Sequence, residues 1–174
     1  MKSTPLRFAL TLLVAIATIF GMNQMASGSD RDGRFEKKIT VLHGPTDASN
    51  SQSTDLGAPG HSVGDLLTVD IPFTAGKTSG HLVGSLMTVA VDHPTVGQDI
   101  RTSQLTFVFG NDANQIVVGG QAVYEISQPT LSIGVVTTRP VLGGSGKYAG
   151  ARGYLESTHL ADNTWKHVFH ITTR

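Results

Sequence analysis

Between residues 66 and 74 the chain alternates without a break: Leu67, Val69, Ile71 and Phe73 fall on one side, Thr68 and Asp70 on the other. A period of two belongs to a strand with one buried face, because successive side chains of a strand point to opposite sides. Similar runs recur at residues 35–43, 81–91, 102–109, 115–124, 131–138, 151–160 and 164–173, which makes eight strand candidates with no amphipathic helical period between them. Asn111-Asp112-Ala113-Asn114 and Ala161-Asp162-Asn163 carry residues that tolerate left-handed turn conformations, so each closes a hairpin. Gly119-Gly120 in mid-strand marks a bulge or a corner. The polar stretch 44–64 exceeds an ordinary connection and reads as a mobile or functional loop, for example a lid.

An all-β chain of this size is a sandwich or a closed barrel. The N-terminus follows an export layout: Lys2 and Arg7, then an apolar run over residues 8–20, then Ala26, Ser27 and Gly28 as small residues at a cleavage site. That run is shorter than the roughly 20 residues a membrane-spanning helix needs. The expectation is a signal peptide over residues 1–28, a disordered new N-terminus over 29–34, and one barrel-sized domain over 35–174, exported and free of the membrane once cleaved. Removing 28 of 174 residues leaves 146, a single-domain length. With Lys2 and Arg7 gone, 11 basic residues face 13 acidic ones, a charge of −2 without basic clusters, which argues against nucleic acid as a partner. The chain has no cysteine, so neither a lipoprotein attachment site nor a disulfide framework is possible.

The glycine-rich run at residues 139–157 invites a nucleotide reading, which fails on spacing. A phosphate-binding loop counted back from Gly146-Lys147 meets Val141 where its first glycine belongs and Tyr148 where its hydroxyl belongs. The dinucleotide pattern fails too, since Ala149 fills the third glycine slot after Gly144 and Gly146. The run therefore reads as a tight crossing between strands, with a strand starting at Ala151. Ser145 lacks the strand-to-helix setting of a hydrolase nucleophile. His167 and His170, three apart, point to opposite faces of a strand, and His159 with His167 across the hairpin lack a third ligand, so no metal site is expected.

Residues 62–74 (SVGDLLTVDIPFT), 79–91 (SGHLVGSLMTVAV), 103–110 (SQLTFVFG) and 139–154 (RPVLGGSGKYAGARGY) resemble, in order and spacing, the barrel family of plant dirigent proteins and allene oxide cyclases. The upstream residues 55–65 (DLGAPGHSVGD) look like the start of this barrel in secreted bacterial members. The resemblance covers about 110 residues, and its most specific parts are the GD pair and the GGSGKY…ARGY element. It implies an eight-stranded antiparallel β-barrel of calycin type, whose apolar lumen holds one small molecule, and assembly as a homotrimer or homodimer. It further implies a cofactor-free cyclase or stereo-directing activity on a small hydrophobic intermediate. The alternative is a lipocalin-like protein that carries an apolar molecule unchanged.

The resemblance also nominates residues. Arg152 matches the dirigent pattern, and Asp70 stands where those proteins place an acid. The plant cyclases carry a carboxylate on the first strand where this chain has His43, and dirigent proteins an arginine where Ser85 follows Gly84. The candidate catalytic residues are Asp70, Tyr124 and Arg152; the candidate substrate contacts are Ser85, Met87, Tyr154, Glu156 and Trp165. Asp70 either faces the lumen, where burial would fit it for proton transfer, or faces solvent opposite the apolar row. Arg152, Tyr154 and Glu156 share one strand face, which is either a polar cluster in the lumen or an outer salt-bridged stripe. Trp165 shares a face with His167, Phe169 and Ile171, buried in the lumen or at a subunit contact.

Overall fold

The computed structural model describes residues 37–173. The leader expected over residues 1–28 and the polar stretch 29–34 lie outside the described residues, as does the start of the first strand candidate. The alternating runs become β1 (Lys37–His43), β3 (Leu66–Ala75), β4 (Thr78–Val91), β5 (Gln98–Phe109), β6 (Gln115–Glu125), β7 (Val136–Gly144), β8 (Arg152–His159) and β9 (Trp165–Thr172), with a short β2 (Ser51–Thr54) between the first two. Neighbours from β3 to β9 pair antiparallel in sequence order, and β9 pairs with β1.

Closure comes from an interrupted strand. Leu42 and His43 of β1 lie opposite Thr74 and Phe73 of β3, while Ser51 to Thr54 of β2 lie opposite Val69 to Leu66 farther along the same edge. The two short strands thus occupy one position, and the ring is an eight-stranded closed antiparallel barrel. β2 lies inside the stretch expected to be a loop. Its residues SQST carry no apolar alternation and are mostly exposed, so its pairing is written in backbone hydrogen bonds rather than in side chains.

Two further boundaries moved. β5 begins at Gln98 rather than residue 102, because Asp99 and Arg101 occupy inward positions and disguise the alternation. The run 131–138 splits: residues 126–135 form a loop, and the strand continues through Val141 to Gly144, so the crossing is confined to the turn around the 3₁₀ segment Gly146–Tyr148. The register shift on β6 falls at Val117/Val118, just before Gly119-Gly120.

The lower half of the interior is an aromatic plug. Phe73, Phe107, Phe109 and Phe169 interleave, with Phe107 and Phe169 edge to face at 4.9 Å, and Tyr148 closes the base against Phe109 at 4.8 Å. Gly144 makes that closure possible, since a Cβ there would lie 2.6 Å from the Tyr148 carbonyl. The loops 55–65, 92–97, 126–135 and 160–164 lie at the opposite end, which is the mouth.

Candidate functional site

Above the plug the inward positions turn polar. On β5 the inward sequence reads Phe107, Leu105, Ser103, Arg101, Asp99 from base to mouth; on β8 it reads Leu155, Ser157, His159; on β9 Ile171, Phe169, His167, Trp165. The same strands that build the apolar base therefore deliver a ring of polar and aromatic groups to the upper lumen. A cavity of about 60 Å³ lies there, walled by His43, Leu82, Tyr124, Leu131, Arg139, Ser157, Trp165, His167 and neighbouring apolar side chains.

Arg139 is the centre of the polar wall. It is 3% exposed and holds three hydroxyls: Nε donates to Ser103 Oγ at 2.8 Å, Nη1 to Thr137 Oγ1 at 2.8 Å and Nη2 to Tyr124 OH at 2.9 Å. Among the described residues no carboxylate lies within ion-pair distance of it. Burial pushes the Tyr124 phenol pKa up, against the pull of Arg139 and Arg101, so the group is neutral at ordinary pH. Its oxygen accepts from Arg139, which leaves its own proton for a ligand oxygen.

The opposite side is a set of flat rings. His159 stacks on Trp165 at 4.5 Å, His43 lies 6.0 Å from Trp165, and His43 and His167 stack at 5.0 Å. His43 Nδ1 donates to the Gly44 carbonyl at 2.7 Å, and His167 Nδ1 meets Ser157 Oγ at 2.8 Å. His167 Nε2 is buried with no hydrogen-bond partner among the described residues. Burial holds the His167 pKa well below 6.5, with His43 and Arg139 adding to the effect; burial lowers that of His43 too, opposed by its bond to Gly44. Both rings are neutral near pH 7.

The mouth is fastened by a second polar group. Asp99, fully buried, accepts from Arg101 Nε at 3.1 Å, and the same oxygen lies 2.6 Å from His61 Nε2, while its other oxygen has no hydrogen-bond partner among the described residues. Arg101 Nη1 donates to the Pro129 carbonyl at 2.6 Å, and its guanidinium lies over the Tyr124 ring at 4.5 Å. His159 Nδ1 donates to the Leu131 carbonyl at 2.6 Å. The loop 126–135 is thereby tied from both sides over the lumen. A mouth cavity of about 270 Å³ lies between it and the loop carrying Asp55, Gly60 and His61. The two cavities share Leu67, Leu86 and Pro129 as a common wall. The inner one has room for a few waters.

Of the residues nominated from sequence, Tyr124 and Trp165 stand in the lumen. The others do not. Asp70 projects outward with a side chain 72% exposed and meets His81 Nδ1 at 3.1 Å, because Val69 and Ile71 take the inward phase of β3. Ser85 and Met87 lie on the outer face of β4, whose inward residues are Leu82, Leu86 and Thr88. Arg152, Tyr154 and Glu156 form the outer stripe, for Leu155 and Ser157 point inward; Tyr154 stacks on His170 at 4.6 Å, and His170 Nε2 meets Glu156 at 2.9 Å. Arg139, Ser103, His43, Asp99 and Arg101 were not nominated as polar contacts of the lumen. Once phase is fixed by the apolar base, counting by two along β5 and β7 reaches Asp99, Arg101, Ser103 and Arg139. No group of three or more metal-ligating side chains is arranged to hold an ion among the described residues.

No family model and no curated sequence matches the chain. Solved structures do. The chain is similar to a pyocyanin demethylase with TM-score 0.60 and 21% identity, over 78% of this chain and 100% of the other. A pterocarpan synthase dirigent protein gives 0.56 and 16%, over 90% and 99%. An exo-specific intermolecular Diels-Alderase gives 0.56 and 11%, over 79% and 98%. At these identities the likeness concerns the fold, and the fold is the closed eight-stranded barrel shared by dirigent proteins and Diels-Alderases.

Proposed function

We propose that this barrel admits a small, flat, oxygen-bearing hydrophobic molecule to its upper lumen and steers its cyclisation or coupling without a cofactor. The observation that carries this reading is Arg139, a buried guanidinium facing the cavity with neutral hydroxyls as its partners. Taking such a cation out of water costs several kcal/mol (order of magnitude), which hydroxyls recover only in part. A ligand oxygen that gains negative charge during reaction recovers more, so Arg139 and Tyr124 favour the transition state over the ground state. The apolar and aromatic walls add conformational restriction. The names of the structural neighbours, a dirigent pterocarpan synthase and a Diels-Alderase among them, support the same reading.

A lipocalin-like carrier of an apolar molecule gains nothing from a desolvated cation in its cavity, which is why chemistry is favoured over carriage. The test is product analysis by chiral chromatography, using oxygenated conjugated precursors that cyclise or couple spontaneously. Native protein is expected to shift the stereoisomer ratio and Arg139→Met to return it to the uncatalysed one. An unshifted ratio, together with an unreacted apolar molecule co-purifying in native mass spectrometry, would mean carriage. The proposal extends to export and to trimeric or dimeric assembly, which rest on the leader-like N-terminus and the family resemblance.

A further inference from the structure

We propose that His167 is the proton acceptor of this lumen, acting on an enolisable carbonyl compound whose oxygen rests on Arg139 and Tyr124. This inference rests on the reading of the upper lumen as the reaction site and names its substrate class. Three observations lead to it.

The first is an orphan. His167 is 4% exposed, lines the cavity, and has an Nε2 with no partner among the described residues. A buried imidazole nitrogen left unpaired costs about 1–3 kcal/mol, and a ligand proton would remove that cost. The second is orientation. Ser157 Oγ from β8 fixes Nδ1 at 2.8 Å, while His43 from β1 at 5.0 Å and the edge of Phe107 from β5 at 5.3 Å hold the plane of the ring. In the tautomer whose Nδ1–H donates to Ser157, Nε2 presents its lone pair, and that is the tautomer this proposal assigns. The third is the partner group, since Arg139 and Tyr124 line the same cavity and supply donors for an oxygen. An acceptor for a proton and donors for the charge it leaves behind are the two halves of an enolisation site.

The step balances within the site. The C–H bond beside the carbonyl breaks and its electron pair forms the new C=C bond. The carbonyl π pair moves onto oxygen, held by Arg139 and Tyr124, and the proton passes to His167 Nε2. Its return to another carbon of the conjugated system completes an isomerisation with no further reactant. The charged and titratable groups around the ring are His43, Arg139 and, beyond it, Tyr124; no carboxylate is among them, and His43 is the one other neutral imidazole of the group.

para-Nitrophenol, a stable enol whose ionised form is coloured, serves as the probe. Wild-type protein is expected to quench Trp165 fluorescence on binding, to bind the phenol as its phenolate, and to show His167 doubly protonated in nitrogen-15 NMR. His167→Gln is expected to weaken phenolate binding at least about tenfold, the scale of one charged hydrogen bond. Binding as the neutral phenol, or as phenolate with His167 still neutral, would overturn the role of His167 while leaving the lumen reading intact. Absence of any Trp165 response would overturn the lumen reading and this inference with it. The NMR signature is read on wild-type protein, so the test stands even if His167→Gln fails to fold.

Discussion

Arg139 and His167 are both buried, and each has given up hydration in a different way. The guanidinium keeps its charge and trades water for hydroxyls; the imidazole gives up its charge and leaves one nitrogen bare. The histidine leaves a pH signature. Its folded pKa lies well below 6.5 and that of His43 is also lowered, both chiefly by burial, so below 6.5 the unfolded chain binds more protons than the folded one. Stability therefore falls as pH drops from 6.5 toward the depressed folded values, and is flat above about 7.5. Melting temperatures measured between pH 8 and pH 5 are expected to decline in that window, and His167→Gln to flatten the decline. The carboxylates Asp47, Asp65 and Asp162, lowered by hydrogen bonds from neighbouring backbone and hydroxyl groups, act only as pH falls through their range below 3.8. Between pH 8 and pH 5 the histidine effect is therefore read before the aspartates begin to contribute.

At the scale of elements, the start of β5 does the work of a fastener. Asp99 joins the loop bearing His61 to Arg101, and Arg101 joins the loop 126–135 through the Pro129 carbonyl. Removing one member of a buried charged pair leaves the other uncompensated, so Asp99→Asn is expected to cost about 3 kcal/mol of stability, read from urea denaturation. The same substitution loosens the loop and should raise proteolytic cleavage within residues 126–135. The β8 element carries a different constraint. Gly153 has φ +135°, and a Cβ there would collide with the His170 carbonyl on β9. Gly153→Ala is expected to destabilise by about 2 kcal/mol or more, again by denaturation midpoint, which explains the glycine of the ARGY element without any role in chemistry.

Over the described residues the fold is a barrel with an aromatic base and a polar upper lumen, and the two halves were unequally legible in the chain. Alternation at Leu67, Val69, Ile71 and Phe73 identified strands because apolar residues announce the inward phase. Where charge turns inward, as at Asp99 and Arg101, the same alternation is present but inverted in polarity, so the strand start was missed and the site with it. Asp70, Arg152, Tyr154 and Glu156 show the converse: polar residues on strands are usually outside, and here they are. Tyr124 and Trp165 were legible because large amphipathic rings belong where an apolar wall meets a polar group. Arg139 was hidden by its neighbours, since Pro140 and the glycines after it read as a turn although the backbone continues as β7.

The central claim is that the upper lumen takes a ligand oxygen onto Arg139, and the chain carries its own reporter, because Trp165 is the only tryptophan and lines the same cavity. Titration of wild-type protein and Arg139→Met with a small planar phenolate, followed by Trp165 fluorescence, tests it directly. Arg139→Met also takes the donor from Ser103, Thr137 and Tyr124, so urea denaturation of the variant accompanies the titration and establishes that it is folded under the assay conditions. The expected result is saturable quenching in wild type and affinity at least about tenfold weaker in the variant. Equal affinity in the two proteins would contradict the claim.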